Sequence, residues 1–546
     1  MKTTSISSRF GHAFSSFRAN NERKSMTGKS LTTCDRCGHD AIRLQISSSK
    51  KVTIRSEPEY DHMFTPDSPQ PILGQEEVAN AEKNNRGSRV LGYHIPMESA
   101  LPTRRSLLRV GGASLLGLSF PQFLEAASKP KAKASAKAVI FLHQWGGPGQ
   151  HETFDPKPDA PDNVRGWYKA TQTKLPGVIF GERIPKLAAM ADKFTVIRCL
   201  QHTMKNHNSA GYYSLTGVAP PTDDQRLRDS LELFPAYGSI VDKLAPAPQG
   251  VATFVSFPHV IADGSITPGQ HASFLGKGHN PLFVNQDPNR AGFTLPELTL
   301  PSNISVERLE RRKDLLKLID DQSDLLETSL VAQGLDDTYQ KAVAMLTSPR
   351  FKQAFDLSKE SNATREKYGR TSYGQSCLLA RRVVEAGAKF VNVYFSRSIG
   401  GTGQGWDYHG FKGESVTGRL DELLPMADQT LPALLTDLEE RGMLESTLVV
   451  WVGEFGRTPR ISSNGGRDHW PQCYCAVLAG GGAKKGFVYG ASDKLGAYPT
   501  VGQARPEDLA ATMFEALGID SETEIVDKLK RPLPIAKGKP IREVLE

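Results

Sequence analysis

Short apolar runs alternate along this chain with longer stretches in which Leu, Val and Ala recur every three or four residues. Ala138–Leu142, Phe194–Arg198, Lys389–Phe395 and Leu448–Val452 have the length and β-branched content of buried strands. Further strands flank the glycine run Gly480–Gly482, which is read as a hairpin turn because it lacks the spacing of a phosphate-cradling loop. Helical spacing covers residues 184–191, 307–330, 373–386, 420–441 and 506–517. Strands that alternate with helices predict an α/β protein with a mainly parallel sheet and helices on both faces. Residues 245–300, rich in Pro, Gly and His, are expected to be loops that decorate that sheet.

The pattern starts late. Residues 1–96 are polar and show no sustained periodicity. They are either a disordered extension or a stretch upstream of a true start at Met97, and the second reading is preferred. Thr103-Arg104-Arg105-Ser106-Leu107-Leu108-Arg109 then precedes an apolar run from Val110 to Phe123, too short to span a bilayer as a helix. Paired arginines ahead of a weakly hydrophobic segment make a twin-arginine export signal. Small-residue cleavage patterns follow at Ala126-Ala127, Ala132–Ala134 and Ala134–Ala136, and Lys129–Lys137 reads as a flexible spacer. Three regions result: 1–96, the signal and linker at 97–137, and a single body at 138–546. The expected location is the periplasm or the exterior, with membrane contact only through an uncleaved signal.

Charge supports this division. Residues 1–137 hold 21 Lys and Arg against 12 Asp and Glu, whereas the body holds 46 against 48. The basic excess therefore lies in the leader, and the body carries no signature of nucleic-acid binding. Cys34 and Cys37 form a lone C-x-x-C with no second pair to complete a structural zinc site.

Candidate chemistry gathers where the predicted strands end, which is where open α/β sheets place their ligands. Glu454 follows the Leu448–Val452 strand, and Asp468 and His469 come a loop later. Asp407 and His409 flank Tyr408, so on extended backbone both face one side. His151 and Asp155 stand in a Gly/Pro-rich loop after the first strand, and His207 opens a predicted helix. Such imidazoles and carboxylates suit a divalent metal, with Zn, Mn, Ca or Fe in view. Arg457 and Arg460 are candidates for anion binding, and Arg457 could equally hold the Glu454 loop.

Seven separated motifs, in order, resemble the bacterial DUF1501 family. They are the twin-arginine leader, Trp145-Gly-Gly-Pro148 with Thr153-Phe-Asp-Pro-Lys-Pro158, and His202 through His207 to Leu215-Thr-Gly217. Tyr373-Gly-Gln375, Gly405–Gly410, Gly453–Pro459 and Gly466–Pro471 complete the set. The resemblance implies the alkaline phosphatase/sulfatase fold, a three-layer αβα sandwich with a metal site beyond the sheet's carboxyl edge. It implies a small-molecule or polysaccharide ester as substrate, and His207 falls near the position of the sulfatase nucleophile. That mechanism needs Cys or Ser there, with a Pro and an Arg that this chain lacks. Two functions are therefore carried forward: a metal-dependent hydrolase of sulfate or phosphate esters, and a non-catalytic carbohydrate- or partner-binding protein on the same fold.

Overall fold

A computed structural model describes residues 134–295, 298, 308, 311, 341–395, 405–411 and 415–546. The export signal, the Cys34/Cys37 pair and most of the expected 307–330 helix lie outside the described residues.

Eight strands form the central sheet: β1 (Ala138–His143), β2 (Thr195–Leu200), β3 (Phe254–Phe257), β4 (Leu282–Phe283), β5 (Phe390–Tyr394), β6 (Thr447–Val452), β7 (Tyr474–Ala479) and β8 (Phe487–Tyr489). Their order across the sheet is β8-β2-β7-β6-β1-β5-β3-β4. All neighbours run parallel except β7, which is antiparallel to both β6 and β2. The centre of the sheet is apolar on both faces, as a covered parallel sheet requires. Every residue of β1 and of β6 is buried.

Helices α1 (His207–Thr216), α2 (Tyr237–Leu244), α3 (Ser372–Glu385), α4 (Val416–Glu440) and α5 (Pro506–Ala516) cover the two faces. Period-two alternation assigns the side chains. Ile140 and Leu142 join Leu378, Leu379, Leu423 and Leu434 of α3 and α4 in one core. Val139 and Phe141 join Leu215, Ile240, Leu509 and Phe514 of α1, α2 and α5 in the other. Full burial of one such Leu or Phe is worth about 1.5–3 kcal/mol, so the two cores fix the three layers. The result is the expected αβα sandwich. Cys199, Cys377, Cys473 and Cys475 are buried and free, small core residues without a disulfide.

Two expectations need correction. The 245–300 stretch supplies β3 and β4 as well as loops, because Phe254-Val-Ser-Phe257 is a strand too short to stand out among prolines. Gly480–Gly482 is not a hairpin turn, since β7 and β8 lie on opposite sides of β2. All three glycines take positive φ as the chain passes the end of β6, where Gly481 N–H donates to Leu444 O at 3.0 Å.

Candidate metal centre

Five segments meet beyond the carboxyl edge of the sheet. β1 runs into the turn Trp145-Gly146-Gly147, and β6 delivers Glu454 two residues past its end. A two-stranded ribbon pairs Gly456–Arg457 with His469–Trp470, which sets Arg457 opposite His469. The Gly405–Gly410 loop carries Asp407 and His409, and His207 is the first residue of α1. Tyr408 is fully buried between them, so extended backbone does turn Asp407 and His409 to one side.

Asp407 Oδ1 is the hub. His409 Nε2 lies 2.9 Å from it, His469 Nε2 3.1 Å, His207 Nε2 3.5 Å and Arg457 Nη2 2.6 Å. His409 Nε2 and His469 Nε2 are 3.0 Å apart. The other nitrogen of each ring is tied to an acceptor. His207 Nδ1 meets Glu454 Oε1 at 2.8 Å, His409 Nδ1 meets the exposed Asp468 Oδ1 at 2.7 Å, and His469 Nδ1 meets Lys205 O at 2.7 Å.

These contacts fix the protons. A ring whose Nδ1–H donates to an oxygen presents a lone pair at Nε2, unless it holds a second proton. Burial drives His469 down to about 4 despite its Asp407 contact, so this ring is neutral. Its Nε2 lone pair then lies 3.1 Å from a carboxylate oxygen and finds its donor in His409 Nε2, 3.0 Å away. The flanking rings compensate by charging. Burial opposes a proton on His207, yet hydrogen bonds to Asp407 and Glu454 outweigh it and raise the group to about 9. Burial likewise opposes charge on His409, and Asp407 again overcomes it and raises the ring. Burial would raise Asp407, but the Arg457 guanidinium and the three imidazoles hold it well below the usual carboxylate range. Glu454 is also lowered, its burial offset chiefly by His207.

A cation fits this donor set. Ligand atoms of His207, Asp407 and His469 all lie within 4.8 Å of one another, and His409 Nε2 adjoins the last two at 2.9 and 3.0 Å. Three imidazoles with one carboxylate suit zinc, manganese or iron better than calcium, which prefers oxygen. The ledger of charge also closes. Asp407, Glu454 and Asp468 face Arg457 and the protonated His207 and His409, and a divalent ion in place of those two protons leaves the total unchanged.

Not every candidate joins the cluster. His151 donates from Nε2 to Leu495 O at 2.8 Å, and Asp155 is held by Lys157, Arg198 and Ser492. They anchor a neighbouring loop, because their spacing placed them on a turn that folds toward residues 492–496. Arg460 is exposed and joins none of these contacts. Arg457 has no exposed surface, and its donors go to Gly146 O, Gly147 O, Arg467 O and Asp407. It clamps the loop through backbone carbonyls and Asp407, not through Glu454, and offers no open cation to an anion.

Several supporting residues are not apparent from residue type and spacing. Arg467 and Glu152 form a buried ion pair at 2.8 Å beneath the ribbon. Gln150 bonds both the N–H and the carbonyl of Arg457 at 2.9 Å. His202 Nδ1 accepts from Met204 N–H, so its Nε2–H donates to the Glu454 carbonyl at 2.6 Å. Only the Gly-Gly-Arg-Asp-His run hinted at Arg467, and nothing in it named the partner.

An αβα sandwich with an imidazole-carboxylate cluster at the carboxyl edge defines a candidate metalloprotein of the α/β class. Residues 136–545 match the model of the family described as "Protein of unknown function (DUF1501)", and the chain belongs to that family. No curated protein sequence matches it. Among solved structures it is similar to the PsFucS1 sulfatase from Pseudoalteromonas sp., at 12% identity over 81% of this chain and 76% of that one, TM-score 0.36. It is also similar to the lipoteichoic acid synthase LtaP from Listeria monocytogenes, at 10% identity over 76% and 78%, TM-score 0.32. A third is the phosphonate monoester hydrolase SpPMH from Silicibacter pomeroyi, at 11% identity over 76% of each, TM-score 0.33.

Proposed function

We propose that this protein is an exported, metal-dependent hydrolase of phosphate or sulfate esters, small or polymeric. The observation that carries the reading is the convergence of three Nδ1-anchored imidazoles on the Asp407 carboxylate. Without a metal, protons on His207 and His409 must hold these groups against Asp407 in a partly buried pocket, a task that one divalent cation can take over. His207, His409, His469 and Asp407 hold the metal, preferentially zinc, manganese or iron. Glu454, Asp468 and the Lys205 carbonyl orient the rings, and Arg457 fixes Asp407. When bound, such a metal makes water nucleophilic near neutral pH and balances charge on a phosphoryl or sulfuryl oxygen. Among the described residues, no Ser, Thr or Cys hydroxyl or thiol is hydrogen-bonded to the four ligands, so the reading assigns no covalent nucleophile to the protein. The exposed Asp468, hydrogen-bonded to His409 Nδ1, is a group at the rim of the site able to take up a proton.

Metal analysis of the purified protein tests this. The parent should carry about one equivalent of a transition metal, and His409→Ala and His469→Ala should lower it at least about tenfold. His151→Ala should leave it unchanged. Retention of parental metal content by both ligand variants sinks the site. Metal binding without turnover of any phosphate or sulfate ester supports the binding-protein reading instead.

A further inference from the structure

A fourth imidazole lies on the inner side of the cluster. His143 ends β1, with Val452 of β6 as its register partner, and Glu454 follows two residues later. Period two therefore sets His143 and Glu454 on the same face of adjacent strands, toward α1. Neither is exposed. Both ring nitrogens of His143 and the Oε2 of Glu454 lack a hydrogen-bond partner among the described residues, while Oε1 takes His207 Nδ1 and the Gly146 N–H, each at 2.8 Å.

The ring is confined. Phe141, Trp145 and Tyr394 surround it at centroid distances of 6.1, 6.0 and 6.0 Å. A Phe or Leu would pack there without the cost of about 1–3 kcal/mol that a buried unpaired polar group carries. His202 is no substitute, because its Nε2–H is committed to the Glu454 backbone carbonyl. Buried orphan atoms on two facing side chains point to a shared contact.

We propose that His143 is a positioning residue for the centre, holding Glu454 Oε2 through one enclosed water and thereby fixing the tautomer and direction of His207. The inference rests on the metal reading only for its consequence, since the contact itself belongs to the protein. His207 keeps Nδ1 toward Glu454 only while that carboxylate stays in place, and orienting groups of this kind typically change metal affinity by about 10- to 100-fold.

The test uses the full chain, stripped with a chelator, with zinc as the probe. His143→Phe removes the donor, and His143→Gln retains an N–H. The phenylalanine variant should weaken zinc binding about 10- to 100-fold, and the glutamine variant should stay close to the parent. In metal-free protein, histidine-selective ¹⁵N NMR should show the His207 Nδ1 signal altered in His143→Phe and restored in His143→Gln. The parent should also show a slowly exchanging His143 ring proton, a readout that needs no variant to fold. Absence of that proton overturns the proposal, as does a His143→Phe protein with parental affinity and an unchanged His207 signal. If no form binds zinc, the metal reading fails, and the NMR comparison still decides the role of His143.

Discussion

His207 faces two carboxylates from a buried position, and that makes it a pH sensor of the metal-free fold. Its folded pKa of about 9 exceeds the ordinary 6.5. A group raised in this way contributes stability that is full below about pH 6.5 and is lost as pH rises through about 9. The contribution is at most on the order of 3 kcal/mol, from 1.36 kcal/mol per pKa unit. Chelator-treated protein should therefore melt at a lower temperature at about pH 9.5 than at about pH 6. Under the metal reading the trend reverses: a cation would have to displace the protons on His207 and His409, and affinity should rise with pH. Equal melting temperatures across that range would remove the ion-pair account of His207. At this scale the sequence was partly legible. Residue type alone marked His207, Asp407, His409, Glu454, Asp468 and His469, since each stands where a predicted strand or loop ends. It could not separate them from His151 and Asp155, which have the same chemistry but fold onto the 492–496 loop. Neither could it show that Arg457 is spent on carbonyls, because hydrogen-bond partners follow from tertiary approach.

Turns and strand ends govern how closely these groups approach. Gly146 has φ +99°, and a Cβ on it would lie 2.5 Å from the backbone nitrogens of Trp406 and Asp407. The β1 turn thus presses directly on the loop that holds the hub carboxylate, and its N–H also reaches Glu454 Oε1. Gly146→Ala should cost about 1–2 kcal/mol from backbone conformation alone, more from the overlap, and should reduce metal content by shifting Asp407. Denaturant midpoints and metal analysis would show both effects. A variant that keeps its full metal complement would mean the turn is not part of the site's frame. Long elements were readable from periodicity: α3, α4 and α5 lie within a few residues of their expected bounds. β3 and β4 were not, because strands of four and two residues leave no pattern to count.

For the whole molecule, the sheet order was beyond reach of the sequence, although its class was not. Alternating strands and helices gave the αβα layers, yet nothing in β7 marks it as antiparallel. Export is a separate expectation, resting on a sequence motif outside the described residues. Replacing Arg104 and Arg105 with Lys should leave a reporter fusion in the cytoplasm if the twin-arginine route is used; export that survives would remove that route.

The reversed direction of β7 has a consequence for how the centre tolerates an empty state. Because β6 leaves the sheet and β7 re-enters it at the same edge, residues 453–473 form a span with both feet bolted to adjacent rungs of one ladder. Four of the groups discussed, Glu454, Arg457, Asp468 and His469, ride on that span, and the ribbon between Gly456–Arg457 and His469–Trp470 ties it shut. The entropy of closing the loop is met when the sheet forms, not when an ion arrives. The frame is a vise machined before its workpiece: under the metal reading, an ion would come and go without the chain having to fold around it.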